Sequence, residues 1–286
     1  MHSVIKQLLT TGLVITDGAW GTQLQSRGLP VGACPDDWNL TQPGKVEEVA
    51  AAYVTAGSRI ILTNTFGANR VRLAEFNLAD KVSEINRRGA AISKKAAGTK
   101  ALVFASVGPT GKMLVAGDVT EEELRIAFTE QATALKDGGA DALVIETMAE
   151  LEEAQIALEA AKATGLPVIV CMTFDTAGRT MMGVAPDQAA KQFTAAGADV
   201  IGSNCGNGIA AFIPICQELR AATDLPIWIK ANAGQPEYVD GKVIYRITPE
   251  EFAGHVPALC AAGANFIGGC CGTSPEHLRF VVQQLV

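Results

Sequence analysis

The chain has 286 residues, a formal net charge of -7, and 48% hydrophobic against 19% charged residues. This composition excludes a disordered chain, and the negative charge excludes a nucleic-acid-binding surface, which needs a basic patch. No apolar run approaches the ~20 residues of a membrane-spanning helix. The amino terminus lacks a secretory signal and the seven cysteines follow no disulfide framework, so we expect reduced thiols in the cytoplasm.

Eight short apolar runs, rich in β-branched residues, alternate along the chain with longer stretches of helical periodicity. In chain order the predicted strands cover residues 13–19, 59–66, 101–109, 142–148, 167–174, 200–206, 226–234 and 265–273. The predicted helices begin near Lys45, Asp80, Thr120, Glu150, Pro186, Ile209, Pro249 and Pro275. Because the strands are apolar throughout, we expect them to be buried on both faces, as in a parallel sheet covered by helices.

A glycine recurs where a helix meets the next strand, which indicates one repeated strand–helix unit. These glycines are Gly57, Gly139, Gly197 and Gly263, at positions where a left-handed residue commonly ends a helix. Eight such units predict an α/β fold, the (β/α)8 TIM barrel, as a single domain over residues 1–286. The alternative is an open doubly wound sheet, but GAWG at 18–21 lacks the full GxGxxG motif, and we expect no helix to begin there. The long segment 21–44 is predicted to be a loop over the barrel top.

Polar and sulfur-containing residues stand at the predicted carboxyl ends of the strands, where barrel enzymes have their active sites. They are Asp17, Thr63, Asn64, Thr65, Glu146, Thr147, Asn204, Cys205, Asn232, Cys270 and Cys271. Three cysteines at one end of a barrel are the most distinctive part of this set. Three thiolates with an open fourth position are typical of a catalytic zinc site, whereas a structural site has four protein ligands.

The competing interpretation treats cysteine as a small core residue, and it suits Cys171, Cys216 and Cys260. It does not suit Cys270 and Cys271, since adjacent strand residues point to opposite faces and this pair lies between glycines. A disulfide between these neighbours is disfavoured, because Cα atoms ~3.8 Å apart are closer than disulfides usually allow. These residues alone leave open both a zinc site and ordinary thiols.

The motifs resemble those of the homocysteine S-methyltransferase family, which holds the homocysteine-binding module of cobalamin-dependent methionine synthase and the betaine and S-methylmethionine enzymes. The resemblance covers essentially the whole chain and rests on DGAWGTQLQ, TNTFGAN, GPTG, IET, GSNCG, NAG and GGCCGT. It implies that three cysteines bind Zn2+: Cys205, Cys270 and Cys271. It also implies a homocysteine site, formed by Asp17 and Glu146 near the amino group, backbone donors at Gly18 and Ala19 near the carboxylate, and Asn232.

The resemblance implies an enzyme that methylates the homocysteine thiol to form methionine. Zinc would release the thiol proton, whose ordinary pKa is ~8.5, and leave a nucleophilic sulfur. Because the chain ends one helix after GGCCGT, we expect a methylcorrinoid donor to arrive on a separate corrinoid protein, with S-methylmethionine as the other candidate donor. Tyr238 and Tyr245, in the segment 235–248, are candidates for contact with that donor.

Two residues depart from the family pattern. Trp20 stands where the family often has Met, and Ala231 stands where it often has Pro, which affects the pocket and a local turn but not the cysteines. Two alternative functions therefore stay open. One is methyl transfer between a corrinoid protein and another thiol, and the other is a zinc- or thiol-binding barrel without turnover.

Overall fold

The computed structural model describes residues 1–175, 177–239 and 242–284. The strands are β1 (Val14–Ile15), β2 (Ile60–Ile61), β3 (Leu102–Val107), β4 (Ala142–Met148), β5 (Val168–Met172), β6 (Val200–Gly208), β7 (Ile227–Asn232), β8 (Glu237–Val239), β9 (Lys242–Ile244) and β10 (Ala264–Gly269). Eight of them form one parallel sheet in the order β1-β10-β7-β6-β5-β4-β3-β2, while β8 and β9 form an antiparallel hairpin.

The two edge strands of this sheet, β1 and β2, lie side by side. The backbone N–H of Arg59 donates to the carbonyl of Ile15 at 2.8 Å, and the Ser58 hydroxyl donates to the Thr16 carbonyl at 3.1 Å. These bonds bring the edges together and leave a nearly closed barrel. The predicted (β/α)8 barrel is confirmed.

The helices surround this barrel. They are α1 (Ser3–Leu9), α2 (Gly21–Gln25), α3 (Trp38–Thr41), α4 (Pro43–Ala56), α5 (Arg70–Ala74), α6 (Val82–Ala97), α7 (Glu121–Asp137), α8 (Leu151–Lys162), α9 (Pro186–Ala196), α10 (Phe212–Ala222), α11 (Pro249–Gly254), α12 (Val256–Ala261) and α13 (Pro275–Gln283). None of the helices formed by the described residues combines the length and the apolar character that a bilayer crossing requires.

Side chains alternate between the barrel interior and the layer beneath the helices, as the pleat of a strand requires. The lower interior is filled by Trp228, whose ring centroid lies 6.0 Å from that of Phe104 and 5.4 Å from that of Phe266. Gly202 allows β6 to lie close to the β7 backbone here, because a Cβ there would lie 2.1 Å from the Trp228 carbonyl oxygen. An aromatic layer therefore fills this part of the barrel interior.

The helix boundaries follow the predicted signals closely. Thr120 caps α7 through a capping box with Glu123, and proline occupies the first turn of α9, α11 and α13. The junction glycines all have a positive φ: 101° at Gly57, 94° at Gly139, 83° at Gly197 and 105° at Gly263. The predicted repeat of one strand–helix unit is confirmed.

Three local predictions are wrong. A helix does begin at Gly21, and the segment 21–44 contains α2 and α3, which are too short to show a periodicity. Cys260 is exposed, because it follows the buried Leu259 on α12 and so points away from the core. The paired parts of β1 and β2 are shorter than predicted, since the N–H of Leu62 donates to the Asp17 carboxylate. Cys171 and Cys216 are buried, as predicted.

Residues 240 and 241, within the segment predicted to contact a donor, and residues 285 and 286, at the end of the predicted domain, lie outside the described residues.

Candidate active site

A cavity of about 600 Å³ opens at the carboxyl end of the barrel, within the range of small-molecule sites. The segments that follow β1, β2 and β10, together with residues of β3, β4, β6, β7 and β10, form its wall. The polar and ionisable residues of the wall include Asp36, Thr63, Asn64, Arg72, Ser106, Glu146, Thr147, Cys205, Lys230, Cys270 and Cys271. The predicted gathering of distant strand-end residues around one space is therefore present.

The three predicted cysteines meet at this cavity. The Sγ atoms of Cys205, Cys270 and Cys271 all lie within 4.8 Å of one another. Two backbone features aim them there: Cys205 has a φ of 65°, a conformation rare outside glycine, and Gly272 has a φ of 81°. Sulfur atoms around a tetrahedral metal with metal–sulfur bonds of ~2.3 Å are separated by roughly 3.8 Å. The three thiols are thus close enough to hold a metal ion with small side-chain adjustments.

Polar neighbours support the cysteines. Asn232 Nδ2 donates to the Gly206 carbonyl at 2.7 Å and approaches Cys205 Sγ at 3.8 Å, so the predicted Asn232 lies beside the thiols. The Tyr245 hydroxyl hydrogen-bonds to Cys271, and burial with these thiols raises the pKa of Tyr245. Tyr238, by contrast, is exposed on the hairpin. Hydrogen bonds from Cys270 and Cys271 lower the pKa of Cys205, which favours one thiolate in the cluster.

The glycines of GGCCGT allow close approach of the backbone to β1. A Cβ at Gly268 would lie 1.9 Å from Thr16 Oγ1, and one at Gly269 would lie 2.2 Å from Thr273 Oγ1. Thr273 donates through Oγ1 to the Cys270 carbonyl at 2.8 Å and accepts the Ala19 N–H at 3.1 Å. The loop that carries Cys270 and Cys271 is therefore hydrogen-bonded to the loop that follows β1.

Glu146 lies in the cavity wall, as the prediction of a substrate-binding carboxylate requires. It accepts hydrogen bonds from the Ser106 hydroxyl and, at 3.4 Å, from Asn204 Nδ2. Burial raises its pKa, and the nearby Lys230 ammonium opposes that shift. The following residue, Thr147, has a φ of 64° and is held by Asn204 through two bonds of 2.8 Å. Strained backbone of this kind is concentrated at functional sites.

Asp17 is fully buried, and its carboxylate oxygens have partners within the protein. Oδ2 accepts from the Leu62 N–H and from the Trp20 indole, each at 2.7 Å, while Oδ1 pairs with the Lys230 ammonium. Lys230 and Trp20 form the cavity wall in this region. Asp17 is thus adjacent to the predicted site. It contacts the cavity wall through its bonds to Lys230 and Trp20.

The predicted backbone donors lie in the wall, since Gly18 and Ala19 both line the cavity. The N–H of Ala19 is engaged by Thr273, however. The unusual Ala231 pairs with Cys205 and with Gly269, and the register between β6 and β7 shifts directly after it, between Cys205 and Gly208.

Lys230 is the functional residue that sequence reasoning missed. It is 2% exposed, lines the cavity and forms an ion pair with Asp17. Burial lowers its pKa, but the charges of Asp17 and Glu146 outweigh burial, so the pKa of Lys230 is raised and it stays an ammonium. A signal did exist, since Lys230 is the one charged residue in IWIKAN and shares its strand face with Asn232.

Comparison with known proteins identifies the class to which this fold and site belong. The family described as homocysteine S-methyltransferase matches residues 14–285, and the chain therefore belongs to this family. The predicted resemblance is confirmed.

Among individual relatives, methionine synthase of Mycobacterium leprae (strain TN) is 32% identical over 96% of this chain and 24% of its own length. Methionine synthase of Mycobacterium tuberculosis (strain ATCC 25618 / H37Rv) is 31% identical over 96% of this chain and 25% of its own length. The chain thus spans about a quarter of the length of these curated relatives. The metallated form of the homocysteine methyltransferase MmuM from Escherichia coli has the same fold, with a TM-score of 0.84, 23% identity, and coverage of 98% of this chain and 99% of that one.

Proposed function

We propose that this protein is a zinc-dependent S-methyltransferase that methylates the sulfur of homocysteine to form methionine. The observation that carries the proposal is the group of three thiols, Cys205, Cys270 and Cys271, in the wall of a small-molecule cavity. Family membership supports homocysteine as the acceptor. Three sulfur donors favour a soft or borderline metal such as zinc over Mg2+ or Ca2+.

Residues in the cavity wall and directly behind it have distinct roles in this proposal. Bound zinc would supply acidity, since a thiol that binds a metal loses its proton at neutral pH and stays nucleophilic. Asn232 and Tyr245 orient Cys205 and Cys271 through their hydrogen bonds. Glu146, which lines the cavity, binds the ammonium of the acceptor. Asp17 contributes by holding Lys230 and Trp20, and Gly18 and Ala19 form the wall beside them.

The surface around the cavity supports a donor carried on a protein. Eleven large apolar side chains are exposed among the described residues, and all but Met1 and Ile126 lie on loops that follow barrel strands. These loops surround the cavity mouth, and the side chains are Val31, Phe66, Met113, Val115, Met181, Met182, Tyr238, Val239 and Val243. Exposed apolar surface of this kind marks interaction sites. We therefore propose a methylcorrinoid, presented by a corrinoid-binding protein or domain, as the first candidate donor and S-methylmethionine as the second.

A donor panel tests the proposal. Zinc-loaded protein is given homocysteine with methylcobalamin, S-methylmethionine, betaine or S-adenosylmethionine, and methionine is quantified by mass spectrometry. We expect methionine with at least one of the first two donors. Turnover of another thiol in preference to homocysteine would support transfer between a corrinoid protein and that thiol. Thiol binding without turnover on any donor would support a binding protein and contradict the proposed enzyme.

Metal content tests the site itself. We expect about one zinc per chain in protein purified under reducing conditions, and loss of zinc in Cys271→Ala. The matched control is Cys260→Ala, because Cys260 is exposed on α12 and is not one of the three clustered thiols. Full zinc retention in Cys271→Ala would contradict the assignment of the ligands.

A further inference from the structure

Lys230 presents a buried ammonium to the cavity. It shares the inward face of β7 with Trp228, two residues earlier, whose ring lies in the aromatic layer of the barrel. The Lys230 side chain is 2% exposed, and it lines the same cavity as Glu146 and the three cysteines. A lysine is almost never buried to this extent without partners, so the groups that satisfy it have to be identified.

The hydrogen bonds of this ammonium are incomplete. A lysine ammonium has three N–H donors. Across residues 1–175, 177–239 and 242–284, the hydrogen-bond acceptor recorded for Lys230 is Asp17 Oδ1. Among these residues the other two donors of the buried ammonium have no acceptor, and an unpaired buried donor is costly. The two oxygens of a ligand carboxylate, or one of them with a water molecule, would satisfy these donors.

The charged residues of the cavity offer separate partners to the two ends of an amino acid. Asp17 and Glu146 both influence the Lys230 ammonium, which gives this region two carboxylates and one cation. A zwitterionic amino acid fits such a region if its ammonium lies at Glu146 and its carboxylate at Lys230. The N–H of Ala19, one of the two backbone donors predicted to bind a carboxylate, already donates to Thr273.

We propose that Lys230 binds the carboxylate of the acceptor thiol and thereby selects acceptors that carry an acidic group. Asp17 is then a positioning residue, which holds the Lys230 ammonium at the cavity wall. Glu146 binds the ammonium of the amino acid and Lys230 binds its carboxylate, while the cysteine cluster lies beside its sulfur. This inference rests on the proposed function, because it assumes that a small thiol is the ligand of the cavity.

Three thiols that differ by one group test the inference. Homocysteine is compared with 3-aminopropanethiol, which lacks the carboxylate, and with 4-sulfanylbutanoate, which lacks the amino group. Binding to zinc-loaded protein is measured by calorimetry, independently of any methyl donor, and methylation is measured separately. In the unchanged protein we expect homocysteine to bind at least about tenfold more tightly than 3-aminopropanethiol, as expected for the loss of a charge-assisted hydrogen bond.

Substitution of Lys230 should weaken the binding of the carboxylate-bearing thiols selectively. We expect Lys230→Met to weaken the binding of homocysteine and of 4-sulfanylbutanoate by about 10- to 100-fold. The binding of 3-aminopropanethiol should weaken by less than about threefold. Glu146→Gln is the matched control. It should weaken the binding of the two amino-bearing thiols and leave the binding of 4-sulfanylbutanoate unchanged. The double variant Asp17→Asn/Lys230→Met removes both charges of the buried pair, so it keeps the test valid if Lys230→Met alone does not fold.

The outcomes separate this inference from the proposed function. Equal weakening of all three thiols by Lys230→Met, or no discrimination in the unchanged protein, would overturn the role of Lys230 even if homocysteine is methylated. Selective weakening of the carboxylate-bearing thiols would support that role even if no donor gives turnover, a result that would contradict the proposed enzyme alone.

Discussion

The buried pair between Lys230 and Asp17 gives a stability prediction that the structure makes quantitative. The two side chains are 2% and 0% exposed, so neither charge is hydrated by solvent. Removing one partner leaves the other as an unpaired buried charge, which costs about 3–5 kcal/mol. We expect Lys230→Met to lower the free energy of unfolding by that amount.

The double variant Asp17→Asn/Lys230→Met should lose much less stability. It removes both charges, and asparagine still offers one oxygen to the donors of Leu62 and Trp20 that now share the Asp17 carboxylate. The remaining loss is about one hydrogen bond, or ~1 kcal/mol. The double variant is therefore predicted to be more stable than Lys230→Met by roughly 2–4 kcal/mol, although it carries one more substitution.

Urea denaturation followed by circular dichroism measures these differences. The protein is kept reduced and metal-free, because a bound metal adds its own stabilisation. Equal m-values across the variants are required for the comparison. A double variant no more stable than Lys230→Met would refute the view that the two charges are buried and mutually compensated.

Two further predictions concern the rim of the cavity and the glycines of the cysteine loop. Burial raises the pKa of Asp36 to about 6 from 3.8, so the stabilisation present below pH 4 is lost as the pH rises through 6. Relative to Asp36→Asn, the unchanged protein should lose about 2 kcal/mol between pH 4 and pH 7 in urea titrations, and parallel pH profiles would contradict this. Gly269→Ala places a Cβ 2.2 Å from Thr273 Oγ1 and should cost about 1–3 kcal/mol and reduce zinc content. Gly44→Ala is its control, since a Cβ there meets nothing within 4 Å, and equal melting temperatures and zinc contents for the two variants would refute the packing argument.

Much of the fold was predictable because its signals are local and repeated. The eight apolar runs and the junction glycines give the barrel, and proline and capping residues give helix starts such as that of α7 at Thr120. Short elements escaped prediction, since α2 has five residues and α3 has four, too few to show a periodicity.

The site residues that stand at the carboxyl ends of barrel strands were predictable. Cys205, Cys270 and Cys271 lie in such positions, and a barrel brings strand ends together whatever their separation in sequence. Lys230 and the partners of Asp17 were not predictable in this way. Alternation along β7 places Lys230 on the face of Asn232, but its ion pair with Asp17 and the bond from the Trp20 indole to that carboxylate depend on tertiary packing that sequence spacing does not report.

Zinc K-edge X-ray absorption tests the central claim, that three cysteines hold zinc with one position left for the acceptor thiol. The spectrum of zinc-loaded protein is recorded without and with homocysteine. We expect three sulfur neighbours at ~2.3 Å and one lighter neighbour before addition, and four sulfur neighbours afterwards. Four sulfur neighbours in the absence of homocysteine, or an unchanged count of three in its presence, would contradict the claim.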